Sequence, residues 1–127
     1  SFAALRDIPG LVIACPSRGD DAAMMLRTLM ALGKVDGRVC AMLEPIALYM
    51  TKDLYEAGDG LWSFRYPSPE QQVALGEPRV YESEATDLLI ISYGNGVPMA
   101  LKAARQIAQE HILGVRTMDL RWLLPIN

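Results

Sequence analysis

An α/β fold of parallel-sheet βαβ units is what the sequence predicts, on three observations. Uninterrupted apolar runs occur at residues 11–15 (LVIAC), 39–43 (VCAML) and 88–91 (LLII, followed by Ser92). Such runs suit strands covered on both faces, since a half-exposed strand alternates apolar and polar residues instead. Between the first two runs, and after the third, apolar residues recur at helical spacing. Apolar strand, helix and apolar strand in that order give a right-handed parallel crossover.

Residues 2–6 read as the tail of a helix, stopped at Asp7-Ile8-Pro9-Gly10 because Pro9 restricts Ile8 and Gly10 permits a turn. The strand at 11–15 is broken by Pro16-Ser17-Arg18-Gly19. A helix then starts at Asp20 or Asp21, where a carboxylate accepts orphan N–H groups and complements the dipole. Ala22, Met25, Leu26, Leu29 and Met30 form its apolar face, a stripe expected in the core. Residues 33–38 connect to the strand at 39–43, which Glu44-Pro45 closes.

From residue 46 to 79 the character changes. Tyr49, Tyr55, Trp62, Phe64 and Tyr66 are scattered among glycines and prolines with no sustained period. So long an irregular stretch suits a connection between two domains, here one that packs through its aromatics. Residues 80–82 form a candidate short strand. Residues 87–125 then read as the opening βαβ unit of a second domain. Its strand is 88–92, its turn Tyr93-Gly94-Asn95-Gly96, and Pro98 falls in the first turn of the helix, where a missing N–H costs nothing. Val97, Leu101, Ala104, Ile107 and Ala108 make the buried stripe, Gly114 ends the helix region, and residues 115–120 are the next strand. Two strands and a helix cannot cover both faces of a parallel sheet, so this unit is expected to lack its neighbours.

Half the residues are hydrophobic, enough for a real core and too many for disorder. A net charge of −3 with scattered basic residues gives no footprint for nucleic acid. No apolar segment approaches the roughly 20 residues of a spanning helix, so no membrane partner is expected. The N-terminal residues lack the basic-then-apolar pattern of a secretory signal. Cys15 and Cys40 sit in apolar runs and read as unpaired thiols of a reducing compartment, cytoplasmic or else mitochondrial matrix.

Gly94-Asn95-Gly96, between strand and helix, invites a dinucleotide-binding reading with Asp119 as the ribose acid. The third glycine of that motif falls on Met99, whose side chain would crowd the helix–strand contact, so the turn reads as structural. Glu44, Glu82, Glu84 and Asp119 form no recognisable acid–base pair, and His111 has no nucleophile placed beside it. Ser17 lacks the flanks of a nucleophile elbow and reads as a turn or cap.

Taken together, five segments resemble the β subunit, or β half, of the E1 component of thiamine-diphosphate-dependent 2-oxo acid dehydrogenases, within the transketolase-like superfamily. Residues 1–20, SFAALRDIPGLVIACPSRGD, are similar to a stretch reading roughly SLEALFAHIPGLKVVAPSNPYD. LEPIALY at 43–49 is similar to FLEP..LY, and VALGEPRV at 73–80 to IPLGKARV. Residues 87–101 resemble DVTLVTYGxxVxxAL, and residues 118–127 resemble VIDLRTLLPLD. The matches run in order over nearly the whole chain.

The resemblance implies a piece of two adjoining three-layer domains: residues 1–50 from the end of a pyrimidine-binding domain, 51–71 an interdomain linker, and 72–127 from the start of a transketolase C-terminal domain. It implies decarboxylation of a 2-oxo acid and reductive acylation of lipoyl-E2 in the intact enzyme, where the cofactor supplies the electron sink. The family's cofactor-activating glutamate and a histidine motif would lie upstream of Ser1. Thiamine diphosphate and its Mg2+ would be held by the E1 alpha subunit or alpha half. No catalytic or cofactor-binding residue is therefore expected on this chain, and the isolated piece is expected to be inactive.

Its implied partners are E1 alpha, a second E1 beta copy and the E2 acyltransferase. Some members of the family build a monovalent-cation site, with K+ as the candidate ion, after the first helix. Asp36 matches its aspartate, while Arg38 stands at the asparagine position. Transketolase or a related thiamine-diphosphate synthase is the alternative enzyme; a non-catalytic interaction or nucleotide-binding regulatory module is the alternative of another class.

Overall fold

The computed structural model describes residues 3–126. In order, its elements are α1 (Ala3–Arg6), β1 (Val12–Ala14), α2 (Gly19–Val35), β2 (Cys40–Met42), a 3-10 turn (Ile46–Leu48), β3 (Arg79–Tyr81), β4 (Leu88–Ser92), α3 (Gly96–His111), β5 (Val115–Asp119) and β6 (Trp122–Leu124). Phe2, read as the start of the first helix, and Ser1 and Asn127, at the ends of resembling segments, lie outside the described residues.

Both expected crossovers are parallel. β1 pairs with β2 across α2, in the register Val12 to Cys40, and β4 pairs with β5 across α3, from Leu88 opposite Val115 to Ser92 opposite Asp119. Each sheet also gains an antiparallel third strand: β3 overlaps the short strand expected at 80–82, while β6 was not signalled. β3 adds to β5, and β6 turns back to add to β1, giving the orders β2-β1-β6 and β3-β5-β4. A three-residue strand such as β6 has too little pattern to declare its partner, which lies more than a hundred residues away.

The central strand of the first sheet is buried on both faces, as its composition requires. Val12 and Ala14 pack with Met25, Leu29, Val73 and Trp122, while Leu11, Ile13 and Cys15 pack with Leu123 on the opposite face. Complete burial of Ile13, Met25 and Val12 contributes about 1.5–3 kcal/mol each. A third cluster joins the irregular stretch to α3 through Leu54, Trp62, Val97 and Leu101. That stretch is pinned by side chains as well. The Arg27 guanidinium donates to the carbonyls of Ser68, Gln71 and Pro67, and Asp59 collects the backbone N–H groups of Leu54, Tyr55, Glu56 and Leu61.

Several local expectations are corrected. Leu26 and Met30 face solvent instead of the core, as does Ala108, and Ile107 is half-buried. β4, read as covered on both faces, is an edge strand with Leu88, Leu89 and Ile91 exposed, because α3 covers only part of it. Helix α3 ends at His111 on Ile112, which holds a left-handed φ of 55°, and not at Gly114. Gly114 instead donates its N–H to Asp87. Cys40 is only half-buried, while Cys15 is buried, and both thiols are free.

Candidate functional site

The residues with the most chemistry converge where the two sheets meet, at the carboxyl ends of β1 and β5. Helix α2 begins on Arg18, whose backbone is extended and which makes no side-chain cap bond. The first-turn carboxylates expected to cap the helix are engaged mainly with arginines. Asp20 accepts two hydrogen bonds from the Arg18 guanidinium, at 2.9 and 2.7 Å. Asp21 is fully buried and accepts two from Arg79 of β3, at 3.0 and 2.6 Å. The Nε of Arg121, just after β5, stands 3.4 Å from the same carboxylate without hydrogen-bonding geometry.

Asp119, the last residue of β5, completes the group. It is fully buried, accepts the hydroxyl proton of Ser17 and accepts the Arg121 N–H at 3.0 Å. Cys15 donates its N–H to the Arg121 carbonyl, and Trp62 donates its indole N–H to the Ser17 carbonyl. One ionic cluster thus joins β1, α2, β3, β5, β6 and the irregular stretch. Buried charges are tolerated only when paired and hydrogen-bonded in this way.

Electrostatics follow burial. Desolvation raises the Asp119 carboxyl above the ordinary range, against the opposing Ser17 hydrogen bond. Burial, with the Asp119 charge adding to it, pushes the Cys15 thiol up to about 11, leaving it a thiol at neutral pH. Burial lowers the Arg121 guanidinium, with Asp21 opposing. Asp20 is held low overall, because the bonds from Arg18 outweigh its desolvation. Burial raises the Tyr81 phenol, and Arg18 opposes without hydrogen-bonding to it.

Beside the cluster lies a cavity of about 360 Å3, lined by Ser17, Arg18, Glu44, Tyr49, Trp62 and Phe64 among others. Arg18 sits 3.9 Å over the Phe64 ring, and the exposed Tyr49 hydroxyl donates to Glu44. Asp21, Arg79, Asp119 and Arg121 line none of the described cavities; their polar atoms are directed at one another.

The structure separates the residues singled out from sequence. Asp119 and Ser17 are brought together, with Arg121 beside them, whereas His111 is exposed on α3 near Glu110. Asp36 caps the far end of α2, exposed, with its N–H and that of Arg38 both donating to the Leu32 carbonyl. Gly94 and Gly96 are spoken for by packing. A Cβ on Gly94 would lie 3.1 Å from the Cys15 sulfur and 3.3 Å from Pro45, and one on Gly96 only 2.4 Å from the Ser92 hydroxyl. Asp21 and Arg79 were missed. Their signal was weak: an apparently ordinary first-turn acid and a strand arginine, 58 residues apart.

Residues 79–127 match the transketolase C-terminal domain family. The chain is similar to the pyruvate dehydrogenase E1 component subunit beta of Bacillus subtilis, 31% identical over 94% of this chain and 32% of that protein. It is similar to the 3-methyl-2-oxobutanoate dehydrogenase subunit beta of Mycobacterium tuberculosis, 30% identical over 93% of this chain and 29% of that protein. It is also similar to a 1-deoxy-D-xylulose-5-phosphate synthase of Geobacillus, 30% identical over 99% of this chain and 17% of that protein. The chain therefore spans about a sixth to a third of the length of these relatives.

Proposed function

For a chain that belongs with the transketolase-like proteins, we propose an architectural role in an E1-type 2-oxo acid dehydrogenase. In that assembly a 2-oxo acid is decarboxylated and its acyl group passed to a lipoyl group on E2, while this chain alone performs no chemistry. The observation that carries the proposal is the ionic cluster. Its carboxylates and guanidiniums face one another instead of a cavity, so they fasten two sheets at fixed register. The domain limits 1–50, 51–71 and 72–127 belong to the same reading, with β6 as the strand that crosses back.

The cofactor implied is thiamine diphosphate with Mg2+. Among the described residues no three of His, Cys, Asp or Glu converge into a metal-holding set, and the acids at the cluster already pair with arginines. These residues do not fit a magnesium diphosphate, and no step is routed through one. Binding is assigned to the E1 alpha subunit or alpha half, with a second E1 beta copy and the E2 acyltransferase as further partners. A cytoplasmic or matrix setting goes with that assembly. Asp36 is the candidate K+ ligand. An Asp36→Ala variant whose thermal midpoint responds to KCl as the parent does would remove that assignment.

The test is calorimetry. Thiamine diphosphate with Mg2+, titrated into this chain, should give no heat, and acyl transfer should appear only when the full gene product that carries this stretch is assembled with an E1 alpha partner and E2. Saturable heat from the chain alone would place the cofactor site here and refute the proposal. A synthase is the second reading, favoured by relatives such as the Geobacillus protein that align with 99% of the chain. Formation of 1-deoxy-D-xylulose 5-phosphate in place of acyl transfer would select it.

A further inference from the structure

A second cavity, about 520 Å3, lies between α3 and the irregular stretch, with β5 and the end of β3 as its floor. Its size and its mainly apolar, aromatic walls are those of small-molecule sites, which add a few placed polar groups. Leu54, Trp62 and Leu101 supply apolar wall. Two hydroxyls supply the floor. Tyr81 and Thr117 stand directly opposite each other in the β3–β5 ladder, so their side chains share one sheet face. Neither buried oxygen makes a hydrogen bond of good geometry, the Tyr81 hydroxyl having only the Arg18 guanidinium near it, and Thr117 is 1% exposed. Buried unpaired hydroxyls are uncommon and costly, and a ligand oxygen is one way to satisfy them.

The rim carries a cation. Arg105 lies 4.4 Å over the Tyr55 ring and makes no ion pair among the described residues. A ring-backed guanidinium is suited to a planar two-oxygen anion. Arg18 and Glu82 also line the cavity, but Arg18 is held by Asp20, so Arg105 is the cation left to place an anion.

We propose that this cavity binds a small hydroxylated aromatic carboxylate, with its ring against Leu54, Trp62 and Leu101, its hydroxyl on Thr117 and Tyr81, and its carboxylate at Arg105. The inference is independent of the assembly proposed above, because it uses only this cavity.

The probe is 4-hydroxyphenylacetate, titrated into the protein as its own gene encodes it and followed by methyl resonances of Leu54, Leu101, Leu113 and Thr117. Saturable shifts confined to those methyls are expected. Phenylacetate, which cannot reach the floor hydroxyls, should bind about tenfold more weakly. The neutral 4-hydroxyphenylacetamide should bind about threefold more weakly, as an exposed ion pair is worth little. Thr117→Val should weaken the hydroxylated acid about tenfold and leave phenylacetate unchanged. Arg105→Gln, on an exposed helix position, should erase the difference between acid and amide. Equal binding of the three probes, absence of saturable shifts, or shifts at Leu88 and Ile91 in their place would each overturn the assignment.

Discussion

Asp21 provides the sharpest test of the ionic cluster. Its carboxylate is fully buried, takes both fork nitrogens of Arg79 and faces the Nε of Arg121. Asp21→Asn preserves volume but leaves two guanidiniums without their anion. Removing one partner of a buried pair costs about 3–5 kcal/mol. The Arg79 side chain is 26% exposed and can regain water, while that of Arg121 is 5% exposed and cannot. The loss should therefore fall near the lower end, about 3 kcal/mol, a large part of the roughly 5–15 kcal/mol of a typical domain. Equilibrium urea unfolding reads it as a lower midpoint with unchanged slope. The triple replacement Asp21→Leu, Arg79→Met and Arg121→Met should recover most of the loss, since it removes the uncompensated charge. A single-variant loss under about 1 kcal/mol, or a triple variant worse than the single, would refute the view that these residues are a closed interlock.

Other consequences can be checked alongside. Because burial raises the Asp119 carboxyl in the folded state, its stabilising effect is complete below the ordinary carboxylate value of about 4 and is lost as pH rises through the folded value. The stability of Asp119→Asn relative to the parent should therefore improve from pH 4 toward neutrality, and a pH-independent difference would contradict the assignment. Trp62 is 5% exposed, bonded to the Ser17 carbonyl and edge-on to Phe64; Trp62→Ala should cost about 3–4 kcal/mol and open residues 52–66 to limited proteolysis. Gly96→Ala should destabilise by about 1–3 kcal/mol through its clash with Ser92, and Ser92→Ala in the same chain should return part of it. An unimpaired Gly96→Ala protein would mean that the glycine turn is not held by packing.

The sequence by itself determined the two βαβ crossovers, because apolar runs and helical periods are local patterns that encode which faces must be covered. It also determined that the irregular stretch would pack: Trp62 and Leu54 are buried, and Arg18 and Arg105 stack on Phe64 and Tyr55. The structural reading of Gly94 and Gly96 agrees with the packing around them, but not for the reason the sequence offered: Met99, expected to crowd the helix–strand contact, is 70% exposed, and Cys15, Pro45 and Ser92 are what fill the space beside the glycines. Periodicity overreached where a cover is needed, in β4 and at Leu26 and Met30. An apolar run states that a face is to be buried, not which atoms bury it.

Only the tertiary structure decided that β6 returns to β1 and that both sheets are mixed. It alone placed Ser17 on Asp119, 102 residues away, and Asp21 on Arg79. Single acids, arginines and serines carry no period, and their meaning is fixed by a low-dielectric site that exists once the sheets have met. Burial then makes pairing compulsory, which turns residues that look like ordinary surface charges into the fastening between the two halves.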